Sequence, residues 1–167
     1  MPIIKRFRMK SRTEFRQIVA PLLAQPEVQK LDNYVQHVKY TRLAHSLDVA
    51  YLSFCIAKLL RWDARSCARA GLLHDMHYRE DDVPNSWARM KSHPAEALEN
   101  ARNISALTLR EEDIILKHMW LVNLSLPRYK ESFIVTFVDK FCAVREILFG
   151  VRAERLARKD FFVGLAQ

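Results

Sequence analysis

Apolar residues recur at helical spacing along most of the chain. Between positions 49 and 60 they follow one another at steps of three and four, which is the period of one face of an α-helix. The stretches 64–73 and 131–150 continue this pattern, and Gly71 would let a second helix approach closely. Apolar and polar residues never alternate over more than a few positions, as they would along a half-buried strand. The pattern therefore predicts an all-α fold.

Short motifs indicate where two of the helices begin. Thr108 and Glu111 match a capping box, so a helix is predicted over 109–120. Proline suits the first position of a helix. Pro94 therefore predicts a second helix that begins there, with His93 at or near its N-cap.

The two ends of the chain are less regular than its middle. Residues 1–33 are predicted to form an N-terminal extension whose short helices are interrupted by Pro21 and Pro26. The regular helices occupy 34–150, and 151–167 form a basic C-terminal tail. One helical domain with two appendages is the predicted organisation.

Composition agrees with a single ordered domain. Of 167 residues, half are hydrophobic and only three are glycine, which is typical of a globular protein with one core. Three cysteines without CxxC spacing predict reduced thiols in apolar surroundings. No segment is long and apolar enough to span a bilayer, and the start lacks the apolar stretch of a signal peptide. We therefore expect a cytoplasmic protein without membrane contact.

The formal net charge of +8 favours acidic partners such as nucleotides or nucleic acid. The basic residues are spread out, however, with clusters at 5–16 and 152–159. This distribution argues against one DNA-binding stripe. A small phosphorylated partner is therefore favoured, nucleic acid is a less favoured alternative, and a homodimer stays open.

Four histidines lie at the ends of predicted helices, and two aspartates each interrupt or end a strongly apolar stretch. The set is His45, His74, Asp75, His93, His118 and Asp139. A buried carboxylate must be paired or bound to a cation, because an isolated buried charge costs several kcal/mol. One shared cation would explain the whole set, and imidazole nitrogen with carboxylate oxygen suits Zn, Mn, Fe or Ni. For His37 or His77 taken singly, an ordinary hydrogen-bonded or supporting role is favoured. The polar residues 80–92 predict a loop beside this set.

The order and context of these residues point to a family. The first histidine opens a helix in TRLAHSLDVA, the pair closes AGLLHD, and the last aspartate lies within IVTFVDK. Over residues 34–149 this order resembles the HD-domain phosphohydrolase superfamily. The stretches HDMHYRE, SHPAEALENA, IILKHMWL and PRYKESFIVTFVDKFC resemble a group of small bacterial HD phosphohydrolases.

The resemblance implies a helical bundle with a metal site between its helices. The implied ligands of a first metal are His45, His74, Asp75 and Asp139. As in the dinuclear branch of the superfamily, Asp75 would bridge to a second metal completed by His93 and His118. The cofactor would be one or two divalent ions of Fe, Mn, Ni or Zn, and Asp75, His93 and His118 would be catalytic.

The implied reaction is hydrolysis of a nucleotide or a related phosphate ester. A bound divalent ion lowers the pKa of water from about 15.7 towards neutrality and so makes a hydroxide available. Arg79, Lys117 and Lys140 are candidate substrate-binding residues, with a solvated surface cation as the alternative for each. The family commonly follows its HD pair with isoleucine, glycine and a basic residue, whereas this chain has MHYR. Arg79 or His77 would have to replace the usual lysine.

Two other functions remain open from the sequence. A non-catalytic HD module would bind a nucleotide or nucleic acid without turnover, although the complete ligand set argues against a degenerate site. A purely structural helical protein would satisfy its polar residues by one another. Chelation would then leave its thermal stability unchanged.

Overall fold

The computed structural model describes residues 2–37, 40–78 and 86–149, and within these ranges the side chains of 2–10, 37, 86–90 and 149 are not described. This part of the chain is overwhelmingly helical, which confirms the predicted all-α class. The elements in chain order are α1 (Pro2–Leu23), α2 (Pro26–Gln29), a 3₁₀ turn (Lys30–Asn33), β1 (Val35–His37), β2 (Tyr40–Thr41), α3 (Arg42–Leu59), α4 (Ala64–Leu73), α5 (Ser86–Ile104), α6 (Leu109–Lys117), α7 (Trp120–Asn123) and α8 (Lys130–Phe149).

Helix α4 lies at the centre of the bundle and contacts α1, α3, α6 and α8. It approaches α3 closely at Gly71. A methyl group added at Gly71 would lie 2.9 Å from the Cα of Ala50, a separation that real Cβ atoms do not adopt. The predicted close approach of a second helix at this glycine is therefore confirmed.

The strands β1 and β2 form one small antiparallel pair, in which Val35 lies opposite Thr41 and His37 opposite Tyr40. The sequence prediction missed this pair because two and three residues are too few to show an alternating pattern. Thr41 also caps α3, since its side chain accepts a hydrogen bond from the backbone N–H of Ala44. The strand pair therefore leads directly into the first turn of α3.

Helix α6 begins as predicted. The side chain of Thr108 accepts a hydrogen bond from the backbone N–H of Glu111 (3.2 Å), and the Glu111 carboxylate accepts one from the backbone N–H of Thr108 (2.8 Å). The capping box is thus confirmed. The helix ends at Lys117, with His118 as its C-cap, which is three residues earlier than predicted.

The prediction of a helix start at Pro94 is wrong. Helix α5 already begins at Ser86, so His93 and Pro94 both lie inside it. A proline inside a helix removes one backbone hydrogen bond, and the rest of the helix outweighs this local loss. The loop predicted over 80–92 is likewise wrong from Ser86 onwards, while 79–85 lie outside the described residues.

Helix α1 runs through Pro21 without a break, so the predicted interruption at that residue is wrong. Pro26 does separate two helices, because it opens α2. Phe15 and Val19 of α1 are buried in the same apolar core as α3 and α4. The boundary at residue 33 stays a prediction, and the basic tail 151–167 lies outside the described residues.

Cys55, Cys67 and Cys142 are free thiols, as predicted. Burial raises the pKa of Cys67 and of Cys142 to about 12, so both thiols are protonated at neutral pH. No helix in the described ranges combines the length and hydropathy needed to cross a bilayer.

Candidate metal centre

Five helices bring the six residues of the predicted set to one place. His45 lies in the first turn of α3, and His118 is the C-cap of α6. His74 is the C-cap of α4, so Asp75 follows directly after that helix has ended. Neighbouring residues within a helix point about 100° apart. The end of α4 is therefore what lets His74 and Asp75 face the same centre.

One group of potential ligands surrounds a carboxylate oxygen of Asp139. The Oδ1 atom of Asp139 lies 3.0 Å from Nε2 of His45 and 3.6 Å from Nε2 of His74. One ligand atom from each of these three buried residues lies within 4.8 Å of the others. Three such atoms at this spacing can hold a metal ion.

A second group lies on the other side of Asp75. Its Oδ1 atom is 3.3 Å from Nε2 of His93 and 3.5 Å from Nε2 of His118. Its Oδ2 atom is 3.4 Å from Nε2 of His74. The two oxygens of Asp75 thus face different histidines, and His74 belongs to both groups.

The histidines present their Nε2 atoms to the carboxylates because Nδ1 is already used. Nδ1 of His74 donates to the carbonyl oxygen of Gly71 at 2.8 Å, and Nδ1 of His118 donates to that of Ile115 at 2.7 Å. A neutral imidazole has one N–H, so whenever either ring is neutral its Nε2 atom carries the lone pair. Nε2 of His74 is buried without a hydrogen-bond partner. These residues therefore fit a cation.

The pKa values of His45 and His74 reflect the carboxylates around them. Burial alone would lower the pKa of His74, but Asp75 and Asp139 raise it to about 10. Burial is likewise outweighed at His45, where Asp139 and Glu146 raise the pKa to about 9. In the absence of metal both rings are protonated at neutral pH and offset the buried negative charge.

The other side of the centre behaves differently. Burial lowers the pKa of His118 to about 4 and that of His77 to about 3. Both rings are therefore neutral at pH 7. Burial opposes ionisation of Asp75, yet the charge of His74 holds the pKa of this carboxyl well below its usual range.

Sequence reasoning missed two residues that touch the set. Both oxygens of the fully buried Glu146 lie near Nδ1 of His45, at 2.9 and 3.0 Å. Glu146 follows Asp139 by seven residues on α8, which is two turns and therefore the same face. That spacing is the signal that could have found it. From β1, the side-chain amide of Gln36 donates to Oδ2 of Asp75, a contact without a sequence signal.

The candidate substrate-binding residues differ in position. The Nζ atom of Lys140 is 2.7 Å from Oδ2 of Asp139, and its side chain is 35% exposed, so it lies between the centre and solvent. Lys117 donates to the hydroxyl of Ser125 instead. Arg79 lies outside the described residues. His77 is buried, with its ring centroid 5.3 Å from that of His93.

Comparison with known proteins gives one match. A family model described as HD domain matches residues 42–144, which is 103 of the 167 residues and includes the whole predicted set. No curated protein and no solved structure matches the chain.

Proposed function

The chain belongs to the HD-domain family, whose members are generally metal-dependent phosphohydrolases, and on that premise we propose that it hydrolyses a nucleotide or a related phosphate ester. We also propose that the substrate is a small molecule and that the protein acts in the cytoplasm. It rests on one observation above all. The buried Nε2 atoms of His45, His74 and His118 face buried carboxylates within 3.6 Å, and a divalent cation would satisfy imidazole and carboxylate donors of this kind together.

The proposed ligand set has two parts. A first ion would take His45, His74, Asp75 and Asp139. A second would take the other oxygen of Asp75 together with His93 and His118. The separate orientation of the two Asp75 oxygens, 3.4 Å from His74 and 3.3 Å from His93, supports the bridging role. Nitrogen and carboxylate donors favour Fe, Mn, Ni or Zn over Mg or Ca.

When bound, divalent ions supply a water of lowered pKa as nucleophile and positive charge beside the phosphate oxygens. The side chains of this protein would do the rest. Lys140 at the edge of the centre would hold phosphate charge, and Arg79 and Lys117 are proposed as further contacts. Lys117 would first have to leave Ser125. His118 stays neutral at pH 7 because burial lowers its pKa to about 4, which keeps its Nε2 atom available as a ligand.

The catalytic assignment of Asp75 is tested by substitution. Asp75→Ala should abolish hydrolysis, because it removes a carboxylate that faces both groups of histidines. Circular dichroism should show the same helix content as in the unsubstituted protein. Wild-type protein is screened in parallel on dinucleoside polyphosphates, cyclic dinucleotides, nucleoside monophosphates and aryl phosphates, with metal content measured on the same sample.

Each outcome of this screen has a definite meaning. Bound transition metal together with turnover that Asp75→Ala abolishes supports the proposal. Full turnover by metal-free protein refutes it. Bound metal without turnover on any substrate, together with a nucleotide that raises the melting temperature, favours the non-catalytic binding module instead.

A further inference from the structure

Glu146 is the acidic residue on the outer side of His45. Its side chain is fully buried on α8, and both of its oxygens lie within 3.0 Å of Nδ1 of His45. The opposite nitrogen of the same ring, Nε2, lies 3.0 Å from Asp139. The imidazole therefore lies between two carboxylates of one helix, and only Asp139 is on the side of the metal centre.

An ionised carboxylate accepts hydrogen bonds and has no proton to donate. Because Glu146 accepts from Nδ1, that nitrogen keeps its proton when the ring becomes neutral to bind metal, and Nε2 is then left with the lone pair. The same contact fixes the rotation of the ring, since both oxygens are engaged. Partners of this kind orient a metal ligand and raise its basicity.

His45 needs a distant partner because of its place in α3. His74 and His118 are C-caps, where the last carbonyls of a helix have no partner within the helix, and each donates Nδ1 to the carbonyl three residues earlier. His45 lies in the first turn of α3. The unsatisfied backbone groups there are N–H donors, so an acceptor for Nδ1 has to come from another helix.

We propose that Glu146 is a positioning residue that sets the protonated nitrogen and the orientation of His45 for metal binding. The inference rests on the metal centre of the proposed function and adds a residue to it. Glu146 would not touch the metal or the substrate, because the whole imidazole ring lies between its carboxylate and the centre.

The test compares buried glutamates of one helix. Glu146→Met keeps the length of the side chain but offers no acceptor, whereas Glu146→Gln keeps a carbonyl oxygen for the Nδ1 proton. The matched control is Glu131→Gln. Glu131 is also a buried glutamate of α8, and it pairs with Arg110 and the backbone N–H of Asp63. Affinity for Co²⁺ and Zn²⁺ is measured by competition with a chromophoric chelator, together with the visible absorption of the Co²⁺ form.

We expect Glu146→Met to weaken metal affinity by about 10- to 100-fold and to alter the Co²⁺ spectrum. Glu146→Gln should recover most of the affinity, and Glu131→Gln should bind as the wild type does. Equal affinity in Glu146→Met and the wild type would overturn the positioning role, as would a glutamine variant as weak as the methionine variant. If Glu146→Met does not fold, Glu146→Asp decides. Its shorter side chain withdraws the carboxylate from Nδ1, so an unchanged affinity contradicts the inference.

The wild-type titration separates this inference from the proposed function. Wild-type protein that binds neither Co²⁺ nor Zn²⁺ would overturn the metal centre, and the inference with it. Wild-type protein that binds metal while every Glu146 variant binds equally well would overturn the positioning role alone.

Discussion

Metal binding should displace protons from the centre, and their number follows from the pKa values of its histidines. In metal-free protein the pKa of His45 is raised to about 9 and that of His74 to about 10. Both rings are protonated at pH 7, but only a neutral imidazole can bind a metal. His118, with its pKa lowered to about 4, is already neutral. Occupation of the first proposed site should therefore release about two protons, so that log K rises by about two per pH unit between pH 6 and 8.

Calorimetry measures this number directly. Metal is titrated into the protein at pH 7 in several buffers of different ionisation enthalpy. The observed binding enthalpy is plotted against the ionisation enthalpy of the buffer, and the slope gives the number of protons released. His45→Ala should lower the slope by about one proton, since its pKa in the protein is about 9. His77→Gln is the control and should leave it unchanged, because burial lowers the pKa of His77 to about 3. A slope near zero in the wild type would refute the protonation of the metal-free rings.

Three further predictions concern stability. In metal-free protein, the raised pKa values of His45 and His74, about 9 and 10, contribute stability that is complete below pH 6.5 and lost as the pH rises through those values. The melting temperature of chelated protein should therefore fall between pH 7 and 10, and a flat profile would contradict this. Asp113→Ala should lower the free energy of unfolding by about 2–3 kcal/mol without weakening metal affinity, because the carboxylate accepts from the hydroxyl of Ser132 at 2.7 Å and from two backbone N–H groups. Gly71→Ala should lower the free energy of unfolding, measured in urea, by about 1–3 kcal/mol, because the added Cβ would lie 2.9 Å from the Cα of Ala50. An unchanged free energy of unfolding would show that α3 and α4 can move apart without loss of stability.

The sequence predicted those features that depend on local patterns. The capping box of Thr108 and Glu111 lies within four residues, and both of its hydrogen bonds are present. The helical period predicted α3, α4 and α8, and Gly71 predicted the contact between two of them. The prediction that a helix begins at Pro94 was wrong because it rested on a single residue. The helix also includes the eight residues before Pro94 and begins at Ser86.

Long-range contacts were beyond local patterns, and the histidines show why. A histidine at a helix C-terminus finds its Nδ1 acceptor in its own last turn, as His74 and His118 do, so its orientation can be read from the end of the helix alone. A histidine in a first turn has no such local acceptor. His45 depends on Glu146, which is 101 residues away, and that pairing exists only once α3 and α8 have packed together. When a metal-binding histidine is predicted near a helix N-terminus, its partner should therefore be sought among distant carboxylates. In this chain the partner, Glu146, lies two turns after the predicted ligand Asp139 on the same helix.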